Sequence, residues 1–391
     1  MNYELLKEKI NSLADFAGFY STGLNSMWKF FDFLPVLNPR SIISLNEGAT
    51  PVVRGENLGS SLGFQDIHLK IEIGNPTGSF KDRQVSVGIS KAMELKKKGV
   101  MTVSSGNVGA AVAAYAARAK VPALVLVHEM SPLNKTLQIQ AYGARLARVS
   151  SNSTGDILEA IKPHCKKNDF MNLMTASPVN PYINHGAKTI AYEITLESLI
   201  NPQVPFPDVI ICPAGGGGLL AFVYQGFLDL VELGVLERIP RFIAVQPSGC
   251  APLAEAILKN LPVEHLFAYP WKDIDTIASA LADDVPLDAR LAIPAIKKSR
   301  GTACIVNDED ILKGEKVLAS KEGIFTEPSS AITVAALEHV KNSGVVDTSE
   351  KIFLLITGSG FKDMESCKKI TEKQETYPLT HDWNKEFQKL L

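Results

Sequence analysis

The sequence predicts an α/β protein with two open, twisted parallel-sheet domains and a ligand cleft between them. Three observations predict it. From residue 100 to about residue 165, apolar strands alternate strictly with helices. A second such series begins at Pro207 and ends near Ile356. The turns richest in Gly, Ser and Thr follow strands of these series, and in open α/β sheets ligands sit at the carboxyl ends of strands. Continuous apolar strands between amphipathic helices indicate a parallel sheet covered on both faces.

The elements follow in order. Residues 1 to about 40 read as helical pieces with an aromatic cluster, Trp28-Lys-Phe-Phe-Asp-Phe33, taken as core packing, before Leu34-Pro35. Ser44-Leu-Asn-Glu-Gly-Ala-Thr-Pro51 is a loop because of its Gly and Pro. Leu69-Lys-Ile-Glu-Ile73 alternates like a strand, and Val85 to Leu95 has helical spacing. Val100–Val103, Ala123–Val127 and Ala144–Val149 read as strands. Val108–Ala119, Asn134–Tyr142 and Gly155–Cys165 read as the helices between and after them. The second series holds the strand Pro207–Pro213, a helix after Gly218, the strand Arg241–Gln246 and the strand Lys351–Ile356. Residues 260 to 300 show no clear period; Thr276 to Asp288 carries several acids and Pro286. The expected large domain takes residues 1–90 and 187–391, and the small domain residues 91–186.

Composition sets the bounds. The 391 residues suit about two domains, and 46% hydrophobic content can bury sizeable cores. A formal charge of −2 gives no electrostatic ground for nucleic acid or an anionic membrane as partner. The start lacks the apolar core of a signal peptide. No apolar run approaches the ~18 residues of a spanning helix. Five scattered cysteines without a CxxC, and seven histidines without ligand spacing, favour a cytoplasmic protein without disulfides or a metal site.

The motifs that carry chemistry begin with Asn75-Pro-Thr-Gly-Ser-Phe-Lys-Asp-Arg83. It places Lys81 at a helix start, where backbone N–H groups disfavour a nearby cation. Such a lysine loses its proton more easily, and a neutral amine is what Schiff-base chemistry requires. Ser104-Ser-Gly-Asn-Val108 follows a strand and opens a helix. It is a plain N-cap on one reading and a carboxylate cradle on the other. Ala214-Gly-Gly-Gly-Gly-Leu219 lies between a strand and a helix, where glycines let backbone N–H groups wrap a phosphate. No Lys-Ser/Thr follows, which argues against a nucleotide P-loop, and the spacing does not suit a dinucleotide fingerprint. Thr326-Glu-Pro-Ser-Ser-Ala331 reads as a helix start with Pro in its first turn. Ile356-Thr-Gly-Ser-Gly-Phe-Lys-Asp363 closes the second series.

As a set, these segments resemble the threonine synthase family, within the tryptophan-synthase-β-like pyridoxal-phosphate enzymes of fold type II. The likeness runs from about Trp28 to Asp363 with the motifs in the family's order. It implies pyridoxal 5'-phosphate as cofactor, bonded to Lys81. It also implies Asn107 at the ring hydroxyl, Gly215, Gly216, Gly217 and Gly218 around the phosphate, and Thr357 at the pyridine nitrogen. Ser104, Ser105 and Gly106 would hold the substrate α-carboxylate, and Glu327 would help organise the site. A hydroxyl facing the nitrogen, in place of an acid, suits elimination and replacement more than transamination. The partner expected is a small amino-acid substrate, and the assembly a homodimer.

The implied activity converts O-phospho-L-homoserine and water to L-threonine and phosphate by γ-elimination and β-addition. Two features lean elsewhere. The four-glycine loop and the Ser-Ser-Gly-Asn loop, with Val108 where threonine synthases usually carry Thr, look like serine and threonine dehydratases. Asn180-Pro-Tyr-Ile-Asn-His-Gly-Ala-Lys-Thr189 carries Ile183 where many threonine synthases have an arginine that the resemblance assigns to substrate phosphate. Asn184, His185, Lys188 and the more distant Lys135 are the candidates to replace it, Lys188 and Lys135 foremost. A dehydratase, a β-replacement enzyme such as cysteate synthase, and a non-catalytic carrier or sensor of the cofactor are the alternatives. Intact Lys81, Asn107 and Thr357 argue against the last.

Overall fold

The computed structural model describes residues 6, 10, 12–18, 25–129, 131, 133–151, 154–371 and 388. The helical pieces expected before residue 25 therefore fall partly outside the described residues. The strands are β1 Val52–Arg54, β2 Asp66–Ile71, β3 Gly99–Val103, β4 Ala123–His128, β5 Arg145–Val149, β6 Phe170–Asn172, β7 Val209–Pro213, β8 Arg241–Pro247, β9 Thr302–Val306 and β10 Lys351–Ile356. They form a six-stranded sheet in the order β1-β2-β10-β7-β8-β9 and a four-stranded sheet in the order β5-β4-β3-β6. All pairings are parallel except β1 with β2 at the sheet edge.

The large sheet shows why its strands read as unbroken apolar runs. Ile210, Cys212, Phe242, Ala244, Phe353 and Leu355 pack into the core on one face. Their neighbours Val209, Ile211, Ile243, Val245, Leu354 and Ile356 pack into the core on the other. Successive side chains point to opposite faces, so a strand covered on both sides must be apolar throughout. The helix Lys81–Glu94 packs on the small sheet. Its Val85, Ile89 and Ala92 share a core with Val100, Ala111, Val112, Leu173 and Ile183.

Residues 260–300, which pattern alone does not place, form the short helix Val263–Ala268, a 3-10 turn Ser279–Leu281 and the helix Ala289–Lys298. Among the described residues no helix is long and apolar enough to cross a membrane.

A buried ion network ties the lysine segment to both neighbouring elements. Arg83 is fully buried and bonds Glu72 through Nε and Nη2 at 2.7 and 2.8 Å. It bonds Glu193 through Nη1 and Nη2, each at 2.7 Å. Lys70 joins Glu193 at 2.7 Å, and Ala49 N–H donates to Glu193 at 2.7 Å. Glu47, from the loop Ser44–Pro51, accepts from Trp28 Nε1 at 2.7 Å and from the Tyr115 hydroxyl at 2.8 Å. Trp28 is thus core packing, as expected, with its indole N–H satisfied.

Candidate active site

The loops after β3, β7 and β10 converge on one cleft of about 600 Å³, within the usual range for small-molecule sites. Lys81, Ser104, Ser105, Gly106, Asn107, Gly215, Gly216, Gly217, Gly218, Glu327 and Thr357 all line it. The expected cluster is therefore brought together, with one exception described below.

Lys81 is the first residue of its helix. The turn before it is pinned to the strand that ends at Ile356. Phe80 N–H donates to the Thr357 carbonyl at 3.0 Å, and Ser359 N–H to the Gly78 carbonyl at 2.9 Å. Gly78 has φ +87°, which side chains rarely adopt. Lys81 Nζ donates to Thr175 Oγ1 at 2.9 Å and stands 4.6 Å from the centre of the Phe80 ring. Burial pushes its pKa down to about 8, while Asp283, Asp288 and Glu327 work in the opposite direction. The helix start invoked from sequence is not the leading cause; desolvation is.

Asn107 opens the helix Asn107–Ala119, and its Nδ2 donates to Glu327 Oε1 at 2.9 Å. A carboxylate only accepts hydrogen bonds, so this contact sets which way the Asn107 amide faces. Thr357 is buried, with its hydroxyl 2.8 Å from Ser330 Oγ. Ser330 Oγ already accepts N–H bonds from Thr357 at 3.0 Å and Gly358 at 2.7 Å. Its own proton is then best given to Thr357 Oγ1, which leaves the Thr357 O–H for a ligand in the cleft.

The glycine loop fits a phosphate. Gly217 has φ +91°. A Cβ on Gly215 would lie 2.7 Å from Asp283 Oδ2, and one on Gly218 would lie 2.6 Å from Asp288 Oδ2. Gly216 N–H donates to the Asp283 carboxylate, so an anionic group already sits on the loop. Burial raises the pKa of Asp283, against the pull of Lys81 and the Gly216 N–H. Thr102 Oγ1 lines the cleft and is buried without a hydrogen-bond partner. An amine, an amide, a hydroxyl and an N–H cradle thus surround one space, the donor set that pyridoxal phosphate requires.

The candidates for replacing the arginine at position 183 lie elsewhere. Ile183 is fully buried in the small-sheet core, against Gly88 and Leu173. Lys188 is the exception noted above: it does not line the cleft and is buried in an ion pair with Asp229. His185 packs edge-on against Phe222, with ring centres 5.1 Å apart, and burial lowers its pKa to about 4. It is neutral at ordinary pH. Asn184 is held by Gln84 at 2.7 Å and by Asp288 at 3.0 Å. Lys135 lies on the helix Leu133–Ala141, with its side chain outside the described residues.

Sequence reasoning missed Thr175, Asp283, Ser330, Gln138 and Lys362. Asp283 had a signal in the acid-rich stretch from Thr276, and Lys362 lies inside a quoted motif. Ser330 likewise lies inside a quoted motif, Thr326–Ala331, while Thr175 and Gln138 had no signal, because their partners are distant in the chain.

Comparison with known proteins agrees with this geometry. The profile of the family "Pyridoxal-phosphate dependent enzyme" matches residues 43–358. The chain is 37% identical to the threonine synthase of Methanocaldococcus jannaschii over 89% of its own length and 83% of that protein's. It is 32% identical to the threonine synthase of Mycobacterium bovis, over 89% of this chain and 91% of that one. Among solved structures, an L-serine ammonia-lyase of Rhizomucor miehei superposes with TM-score 0.67 at 21% identity. It covers 83% of this chain and 99% of that one. Maize serine racemase superposes with TM-score 0.65 at 23% identity, over 87% and 92% of the two chains. These two show the shared fold alone. On the family match and the relatives at 32–37% identity, the chain belongs to the pyridoxal-phosphate dependent enzymes.

Proposed function

We propose that this enzyme converts O-phospho-L-homoserine and water to L-threonine and phosphate. The observation that carries the reading is the similarity to threonine synthases over most of the chain, and the cleft is built from the matching motifs. In the balanced reaction phosphate leaves Cγ, the hydroxyl of water joins Cβ, and Cγ ends as a methyl group.

Bound pyridoxal phosphate supplies an aldehyde that holds the substrate amine and a ring that takes up electrons. The chain's residues do the rest. Lys81 Nζ anchors the cofactor and, once released, takes the proton from the substrate α-carbon. Burial, which draws the pKa of the free amine down to about 8, favours the neutral form that this work needs. Thr175 Oγ1 holds Nζ in place. Ser104, Ser105 and Gly106 bind the α-carboxylate at the start of a helix. Asn107, oriented by Glu327, would hold the ring hydroxyl, and Thr357, oriented by Ser330, would hold the ring nitrogen. The N–H groups of Gly215–Gly218 would take the cofactor phosphate, that of Gly216 giving up its bond to the Asp283 carboxylate. A homodimer in the cytoplasm completes the reading; light scattering tests the dimer.

The direct test offers O-phosphohomoserine, O-phosphoserine, serine and threonine, and follows phosphate, ammonia and keto-acid release. Phosphate and threonine should form from phosphohomoserine fastest. Faster ammonia release from serine or threonine would replace the reading with a dehydratase.

A further inference from the structure

We infer that Lys362, steadied by Gln138, receives the side-chain phosphate of the substrate; this rests on the phosphohomoserine reading above. A phosphate dianion in a partly desolvated cleft needs charge-assisted donors. Only two lysines and no arginine line the cleft among the described residues, Lys81 and Lys362. Lys81 is committed to the cofactor. Positions 183, 185 and 188 offer no charge to the cleft, as shown above.

Lys362 is placed for the task. Its Nζ donates to Gln138 Oε1 at 2.6 Å. Gln138 Nε2 in turn donates to the Thr77 carbonyl and to the Tyr142 hydroxyl, each at 3.3 Å. These bonds fix the Gln138 amide with its oxygen toward the lysine. An ammonium has three N–H donors, so one goes to Gln138 and two remain for phosphate oxygens. The hydrogen-bond partner of Lys362 is a neutral amide; burial draws the lysine's pKa down, and the nearby charges of Asp82 and Glu327 oppose this, as a bound phosphate would. The stem has its own space: a Cβ on Gly78 would come within 3.2 Å of Lys362 Cε. The site also joins three parts of the chain. Lys362 follows β10 of the large sheet, Gln138 comes from a helix beside the small sheet, and Thr77 belongs to the lysine segment. A ligand held here is gripped from both sides of the cleft.

The competing occupant is the substrate α-carboxylate, also an anion. The test uses cofactor-loaded enzyme and the phosphonate analogue of phosphohomoserine, in which CH2 replaces the bridging oxygen and no phosphate can leave. Norvaline, the same chain without the phosphonate, is the control. Dissociation constants are read from the shift of the visible cofactor band. Lys362→Gln should weaken the phosphonate by about 10- to 100-fold, the value of one charged hydrogen bond, and leave norvaline within about two-fold. Lys362→Arg should restore most of the loss. Equal weakening of both ligands would give Lys362 to the α-carboxylate and overturn the inference, as would no change in either. If Lys362→Gln does not hold cofactor, Gln138→Met carries the test. It should lower the preference for phosphonate over norvaline by about three-fold or more, and an unchanged preference would overturn the inference. Failure of the reading beneath it looks different: wild-type enzyme would release no phosphate from phosphohomoserine.

Discussion

A lysine at the floor of a cleft is governed by what surrounds it. Burial pulls the pKa of Lys81 down to about 8, and Asp283 is the carboxylate that most opposes this. The neutral fraction therefore grows as pH rises through about 8. Only the neutral amine attacks an aldehyde. The rate at which pyridoxal phosphate attaches to cofactor-free enzyme should climb through pH 8 and level off above it. Asp283→Asn removes the opposing charge, so the climb should move to lower pH. Stopped-flow absorbance at several pH values checks this, and an unmoved midpoint would remove Asp283 from the account. Lys81→Ala should abolish both attachment and turnover.

The loop between β7 and its helix separates fold from function, glycine by glycine. A Cβ on Gly216 meets only Asp283 Oδ2, at 3.2 Å, and the Leu287 backbone N at 3.9 Å. The fold can take it, yet the new methyl would crowd the N–H face proposed to hold the cofactor phosphate. Gly216→Ala should weaken cofactor binding about ten-fold, roughly the loss of one hydrogen bond, with little change in urea stability. Gly217 differs, with φ +91° and a Cβ that would lie 2.9 Å from Ala292 Cβ. Gly217→Ala should cost about 1–3 kcal/mol of stability through backbone strain and overpacking. Urea unfolding beside cofactor titration distinguishes the two. Equal stability loss in both variants would contradict this division.

At the scale of the whole molecule, Arg83 links the 3-10 turn Glu72–Gly74 after β2, the lysine helix and the helix Lys188–Ile200. Burial works against ionised Glu193, but Arg83 and then Lys70 hold its carboxyl well below the usual range. A depressed carboxylate pKa means stability that is present above the unfolded pKa and lost as pH falls through the folded one. Arg83→Met leaves Glu72 and Glu193 without their shared partner and should destabilise the protein by about 3–5 kcal/mol at neutral pH. Part of the loss should vanish in acid, where the carboxyls protonate. Denaturant melts at two pH values measure it, and a variant as stable as wild type at neutral pH would refute it. The lesson for mutagenesis is that a change two residues from Lys81 acts on the fold before it acts on the chemistry.

The sequence by itself determined which segments are the strands buried on both faces. β3, β4, β7, β8 and β10 are apolar at nearly every position, and their ends fall within a residue or two of those read from pattern. It also determined which motifs stand at strand ends, and so which residues could share a cleft. The weakly patterned pieces escaped it. β1 and β6 have three residues each, too few to show a period, and β9 carries a short apolar run, Ala303–Val306, inside a chain region with no clear alternation around it. Tertiary structure alone decided which charges the cleft receives. Lys188 stands in a motif yet is claimed by Asp229 from another helix. His185 is neutralised by burial against Phe222. Position 183 faces a core because Gly88, on the lysine helix, leaves room for its side chain. Lys362 reaches the cleft because Gly78 lets its stem pass and Gln138 holds its tip. A buried charge is fixed by partners from elements far apart in the chain, and local pattern holds no record of them.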